Sequence, residues 1–139
     1  QGRPVVILLS DGVDTLSFLN TEELLWKVRR SDAVIYRVQL QESAARGLGY
    51  ATVWRDMTEQ KATVDGLDRA VMASGGRVQI LLDVEELPAA LDGILQELRQ
   101  QYVLGYYAPA QGEEARYRSI DIEVTRPGVQ IRSRSGVVR

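Results

Sequence analysis

A serine and two aspartates near the start of the chain could take part in metal chemistry. Residues 5–9 are all large aliphatics, and Ser10, Asp11 and Asp14 follow them closely. Ligands of open α/β sheets bind at the carboxyl ends of the strands, and Mg²⁺ prefers oxygen ligands. Asp11 is therefore a candidate metal ligand, and Ser10 and Asp14 are candidates for supporting the ion through water or hydrogen bonds.

The same residues also have a purely structural explanation. Asp11 and Gly12 suit a tight turn after the strand, and the Asp14 carboxylate suits a cap on nearby backbone N–H groups. Mg²⁺ needs several oxygen ligands in near-octahedral geometry, so one or two carboxylates bind it weakly. We therefore expect the turn to be the main role of these residues, with no metal bound tightly to this chain alone.

Composition excludes several kinds of active site. The chain has no histidine and no cysteine, which excludes Ser-His-Asp and Cys-His centres, Cys/His zinc sites and disulfides. A phosphoryl-accepting D-x-D-x-T motif is not matched, since residues 11–15 read DGVDT, with one residue too many. Walker and G-x-S-x-G motifs are absent. We expect a protein that is not an enzyme, with a phosphotransferase or hydrolase as the third alternative.

Two features of the chain suggest what it contacts. Tyr50 and Trp54 lie in residues 41–61, which have no clear period and are expected to form a long loop, so they are candidates for binding a protein partner or for covering the core. From Arg116 onward there are six arginines and two acidic residues. They alternate with apolar residues, as on the solvated face of a sheet, so we expect no nucleic acid. No apolar run approaches 20 residues, so we expect no membrane insertion.

Hydrophobic periodicity predicts three βα units followed by a β-rich end. The unbroken aliphatic run is typical of a central parallel strand covered by helices on both faces. Asn20 and Glu23 form a capping box at the start of a helix that ends at Arg30. The predicted strands are 4–9, 33–40, 77–82, 103–107, 120–124 and 129–132, the last three antiparallel, and the other predicted helices are 64–74 and 87–102. The third helix is expected to bury a stripe of Leu87, Leu91, Ile94, Leu95, Leu98 and Tyr102.

The sequence resembles the von Willebrand factor type A (VWFA) domains, in particular the bacterial VWFA-related set. The resemblance is carried by ILLSDGVDT (7–15), SDAVIYRVQL (31–40), SGGRVQ (74–79), ILQELRQQYVLGYYAP (94–109) and RPGVQIRSRSG (126–136). It implies a doubly wound α/β domain that binds protein partners through a magnesium-bearing face. The D-x-S-x-S loop of that metal site is absent, and Asp11 alone has a counterpart. The chain therefore resembles the C-terminal half of such a domain (1–101) with a β-rich extension packed on it (102–139).

This resemblance predicts a module for protein–protein interaction or adhesion, with a partial metal-ion-dependent adhesion site and an extracytoplasmic or secreted location. The alternative is a structural half-domain that is completed by pairing with another chain or with itself. In the strand order 3-2-1-4-5-6, residues 4–9 are strand 4, and strand 1, their neighbour, has no counterpart. One edge of the sheet is then bare, so we expect a homo-oligomer or association with a missing N-terminal half.

Overall fold

The computed structural model describes residues 2–10, 20–40, 57–107 and 117–138, except for the side chains of residues 10 and 57–60. Strands and helices alternate along most of the chain. The order is β1 (Val5–Ser10), α1 (Thr21–Arg30), β2 (Val34–Leu40), α2 (Met57–Ala73), β3 (Val78–Leu81), a 3₁₀ turn (Val84–Glu86), α3 (Leu87–Arg99), β4 (Tyr117–Ser119) and β5 (Gly136–Val138). The loop expected over residues 41–61 is therefore too long at its C-terminal end, since residues 57–61 form the start of α2.

Strands β1, β2 and β3 form a parallel sheet in that order. Val5 lies beside Val34, and Arg37 lies beside Val78. The α/β class and the three βα units are confirmed. The central strand is β2, whereas β1 lies at the edge of the described sheet. No described strand pairs with the outer side of β1, and the central position of residues 5–9 in a complete domain stays a prediction.

Helices pack on both faces of β2. Successive side chains of a strand point to opposite faces, and Tyr36 bonds to Glu97 of α3 whereas Arg37 bonds to Asp68 of α2. Helices α2 and α3 therefore lie on opposite faces of the sheet, and α1 packs beside α2. This arrangement explains why β2 is the most buried strand of the three.

Local signals in the sequence explain where the helices begin and end. The Asn20 side chain accepts a hydrogen bond from the Glu23 N–H, and the Glu23 carboxylate accepts one from the Asn20 N–H, which confirms the capping box. Helix α2 stops before Gly75, whose φ of 86° is the left-handed conformation that favours glycine. Pro88 lies in the first turn of α3, where its missing N–H costs nothing.

The core between the sheet and α3 uses only part of the expected stripe. Its buried residues are Val34, Tyr36, Val38, Leu81, Ala90 and Ile94, with Leu40, Leu87 and Leu98 packed against them. Leu95 is 48% exposed, and Tyr102 is exposed beyond the end of α3. The expectation that these two side chains are buried is wrong, because α3 buries the face that contains Ala90 and Ile94.

The β-rich end is antiparallel, as expected, but its strands lie elsewhere. Within the described residues, β4 pairs with β5, and neither 103–107, 120–124 nor 129–132 forms a strand. A side chain at Gly136 would collide with the Tyr117 ring and the Arg118 carbonyl. Glycine at this position lets β4 and β5 approach each other. The paired strands therefore lie at the two ends of residues 117–138 rather than next to a tight turn.

Candidate interaction site

The structure describes little of the site predicted from the sequence. Ser10 ends β1 beside Gln39, at the carboxyl edge of the sheet where the metal site was expected. Asp11, Asp14, Tyr50 and Trp54 lie outside the described residues, so their predicted roles remain predictions. Among the described residues, no group of three or more acidic side chains could hold a metal ion.

The outer edge of β1, which we call the open edge, has no paired strand within the part of the chain that the structure describes. Parallel strands are normally covered by helices on both faces. In β1, Val5, Val6, Ile7 and Leu9 are between 39% and 57% exposed. These side chains alternate between the two faces, so apolar surface is exposed on both. The strand carries no charge that would discourage pairing with another strand.

Backbone geometry shows which polar groups the open edge presents. The Val34 N–H donates to the Pro4 carbonyl, so Pro4 directs its carbonyl towards β2. Along a strand, the N–H and C=O groups of successive residues alternate between the two sides. Val6 and Leu8 therefore bond to β2, whereas the N–H and C=O groups of Val5, Ile7 and Leu9 face outward. Three donors and three acceptors thus lie along an apolar edge.

A polar network lies at the opposite, amino end of the sheet. The Tyr36 hydroxyl donates to Glu97 Oε1 at 2.8 Å and accepts from Gln101 Nε2 at 3.3 Å. Burial of the ring and then the bond to Glu97 raise the pKa of Tyr36 to about 12. Arg132 pairs with the other Glu97 oxygen. Tyr36 therefore stays protonated at neutral pH, and the network joins β2, α3 and the C-terminal segment rather than forming a catalytic base.

A buried arginine joins β2 to α2. Arg37 is almost fully buried, and its guanidinium pairs with the Asp68 carboxylate, which is partly exposed. Nε of Arg37 has no hydrogen-bond partner within the described part of the chain. A buried cation is tolerated when a carboxylate compensates it. Asp68 therefore holds this charge in place between the sheet and the helix.

A second arginine anchors the C-terminal segment on the end of α1. Arg134 donates to the carbonyls of Arg29 and Ser31 at 3.1 and 2.9 Å and pairs with Asp32 at 3.0 Å. Cationic side chains favour the C-terminal carbonyls of a helix. The Ser135 N–H also donates to the Ala73 carbonyl, just after Arg134. Arg134 was one of the six arginines expected on the solvated face of a sheet, and it instead anchors the C-terminal segment.

Sequence reasoning did not single out Tyr36, Arg37 or Arg134. A signal was present for Arg37, since a lone charge within the apolar run of 33–40 requires a buried partner. No comparable signal marks Arg134, because its partners, two backbone carbonyls and the Asp32 carboxylate, lie at residues 29–32, far away in sequence. Side-chain anchors of this kind depend on the tertiary fold.

Comparison with known proteins supports the fold alone. No family model and no curated protein matches the chain. A solved structure with a similar fold is that of an uncharacterized membrane-spanning protein from Vibrio fischeri, with 24% sequence identity and a TM-score of 0.50. The alignment covers 70% of this chain and 48% of that protein. The chain thus spans about half the length of the neighbour.

This neighbour also corrects the location expected from the sequence. It is described as membrane-spanning, so the expectation of an extracytoplasmic or secreted protein is wrong on this comparison. Within residues 2–10, 20–40, 57–107 and 117–138, none of the helices has the length and apolar character needed to cross a bilayer.

Proposed function

We propose that this chain is a non-enzymatic protein-interaction module that resembles the C-terminal half of a VWFA domain, and that its open edge is the surface a partner occupies. The observation that carries the proposal is the exposure of β1 on both faces. Burying a large aliphatic side chain contributes about 1.5–3 kcal/mol. Covering β1 would therefore give a partner a substantial part of its binding free energy.

Two further observations support an interaction role over a catalytic one. The chain contains neither histidine nor cysteine, and Tyr36, Arg37 and Arg134 are committed to pairs that hold elements together. The exposed surface is backbone and aliphatic side chain, which suits strand addition. Asp11 would contribute to a Mg²⁺ site in a complete domain, with Ser10 and Asp14 near it, and this chain alone would bind the ion weakly.

The alternative is a structural half-domain whose sheet is completed by another polypeptide. The same edge of β1 favours it. The two functions differ in what the chain does alone. A module for transient binding unfolds cooperatively without a partner, whereas a half-domain gains a cooperative transition only when its missing strand is added.

A phage-displayed peptide library tests the proposal. We expect the immobilised chain to enrich uncharged peptides of high β-propensity, and Ile7→Lys to abolish the enrichment by placing a charge on the open edge. Leu104→Lys is the matched control, because Leu104 is exposed in a different segment of the chain. Equal enrichment by wild type and Ile7→Lys would mean that β1 does not bind partners.

A further inference from the structure

We propose that the open edge pairs with the open edge of a second copy of this chain, in antiparallel register about Ile7. The inference rests on the proposed function and names the partner. It gives a continuous six-stranded sheet with three parallel strands from each copy. A two-fold interface of this kind is closed, because each copy contributes the same edge and leaves none of that edge free for a third copy.

The backbone of β1 is suited to this register. Antiparallel strands exchange pairs of hydrogen bonds between residues whose N–H and C=O groups face each other. The outward groups belong to Val5, Ile7 and Leu9. With Ile7 opposite the partner's Ile7, Val5 lies opposite the partner's Leu9, and each outward residue meets another outward residue. About six hydrogen bonds form, and no outward donor or acceptor of these three residues is left without a partner.

The side chains of β1 are equally suited to pairing with themselves. In this register, Val6 lies opposite the partner's Leu8, so every pair within residues 5–9 joins two aliphatic side chains. No like charges face each other, since these five positions carry none. A foreign strand would need the same uncharged, two-sided aliphatic pattern. A second copy supplies it at the same concentration as the chain itself.

Cysteine cross-linking tests the partner and the register together. The natural chain has no cysteine, so Val6→Cys and Leu8→Cys each introduce a single thiol. Opposite residues of a non-hydrogen-bonded antiparallel pair have Cα atoms about 4.5 Å apart, within disulfide range. On mild oxidation, we expect an equimolar mixture of the two variants to give at least fivefold more covalent dimer than either variant alone. Equal yields, or no dimer, would overturn the register.

Light scattering measures the mass of the same dimer without introduced cysteines, so it tests self-pairing even when a cysteine variant fails to fold. We expect the natural chain and Leu104→Lys to elute at twice the 15.5 kDa chain mass, and Ile7→Lys to elute as a monomer because two lysines would face each other. A monomeric natural chain whose β1 still enriches strand peptides would refute self-pairing and leave the proposed function standing. A monomeric chain that enriches no strand peptides would refute both self-pairing and the proposed function.

Discussion

Two adjacent residues of α3 give the sharpest test of how the core is built. Ile94 is 1% exposed and packs in the cluster with Val34, Tyr36 and Val38, whereas Leu95 is 48% exposed. Truncating a buried aliphatic to alanine costs about 2–5 kcal/mol, because transfer free energy is lost and a cavity is left behind. We therefore expect Ile94→Ala to cost about 3 kcal/mol and Leu95→Ala about 1 kcal/mol or less, since half of Leu95 is already in water.

Urea denaturation at one fixed protein concentration measures both changes. The concentration is fixed because self-association would add to apparent stability. Both variants should keep the slope of the natural chain, so that the shift in midpoint reports stability alone. Ile94→Val is the graded control and should cost about 0.5–1.5 kcal/mol. If Leu95→Ala cost as much as Ile94→Ala, α3 would be rotated from the position described and its core face misassigned.

Four further experiments test the polar contacts and the metal prediction. The raised pKa of Tyr36 means that the folded state favours the neutral phenol. Its stabilising contribution should therefore be complete below pH 10 and be lost as pH rises towards about 12. Chemical denaturation between these pH values should show a smaller fall in the free energy of unfolding for Tyr36→Phe than for the unmodified chain. Asp68→Asn should destabilise more than Arg37→Met, because only the first leaves a buried charge without its counter-ion; equal urea midpoints would contradict this. Arg134→Ala should expose the C-terminal segment to limited proteolysis while the melt of the sheet persists, and unchanged cleavage would show that its three contacts do not anchor the segment. Calorimetric titration should show Mg²⁺ affinity no tighter than roughly millimolar, and a micromolar isotherm abolished by Asp11→Ala would show that further ligands exist.

The sequence predicted the elements whose signals are local. The capping box at Asn20, the proline in the first turn of α3 and the glycine stop at Gly75 act within a few residues, and the structure confirms them. The α/β order followed from periodicity in the same way. The sequence did not specify which face α3 buries, because a stripe of six apolar residues is wider than the contact that one sheet provides, and Leu95 lies outside that contact.

Long-range features could not be predicted. The pairing of β4 with β5 depends on the close approach of Gly136 to Tyr117, and nothing next to either residue signals it. The anchoring of Arg134 depends on where α1 ends in space. Of the candidate site, the sequence identified the apolar character of β1. It could not show which backbone groups face outward, since this depends on the pairing with β2.

The central claim is that β1 is an open edge available to a partner, and site-resolved amide hydrogen exchange tests it most directly. At dilutions where light scattering shows a monomer, the N–H groups of Val6 and Leu8 should be protected by β2, whereas those of Val5, Ile7 and Leu9 should exchange quickly. The N–H groups of Val5, Ile7 and Leu9 should gain protection from exchange as the protein concentration rises and the chains pair. Protection of all five amides in the monomer would contradict the account, because another segment of the chain would then be paired with β1.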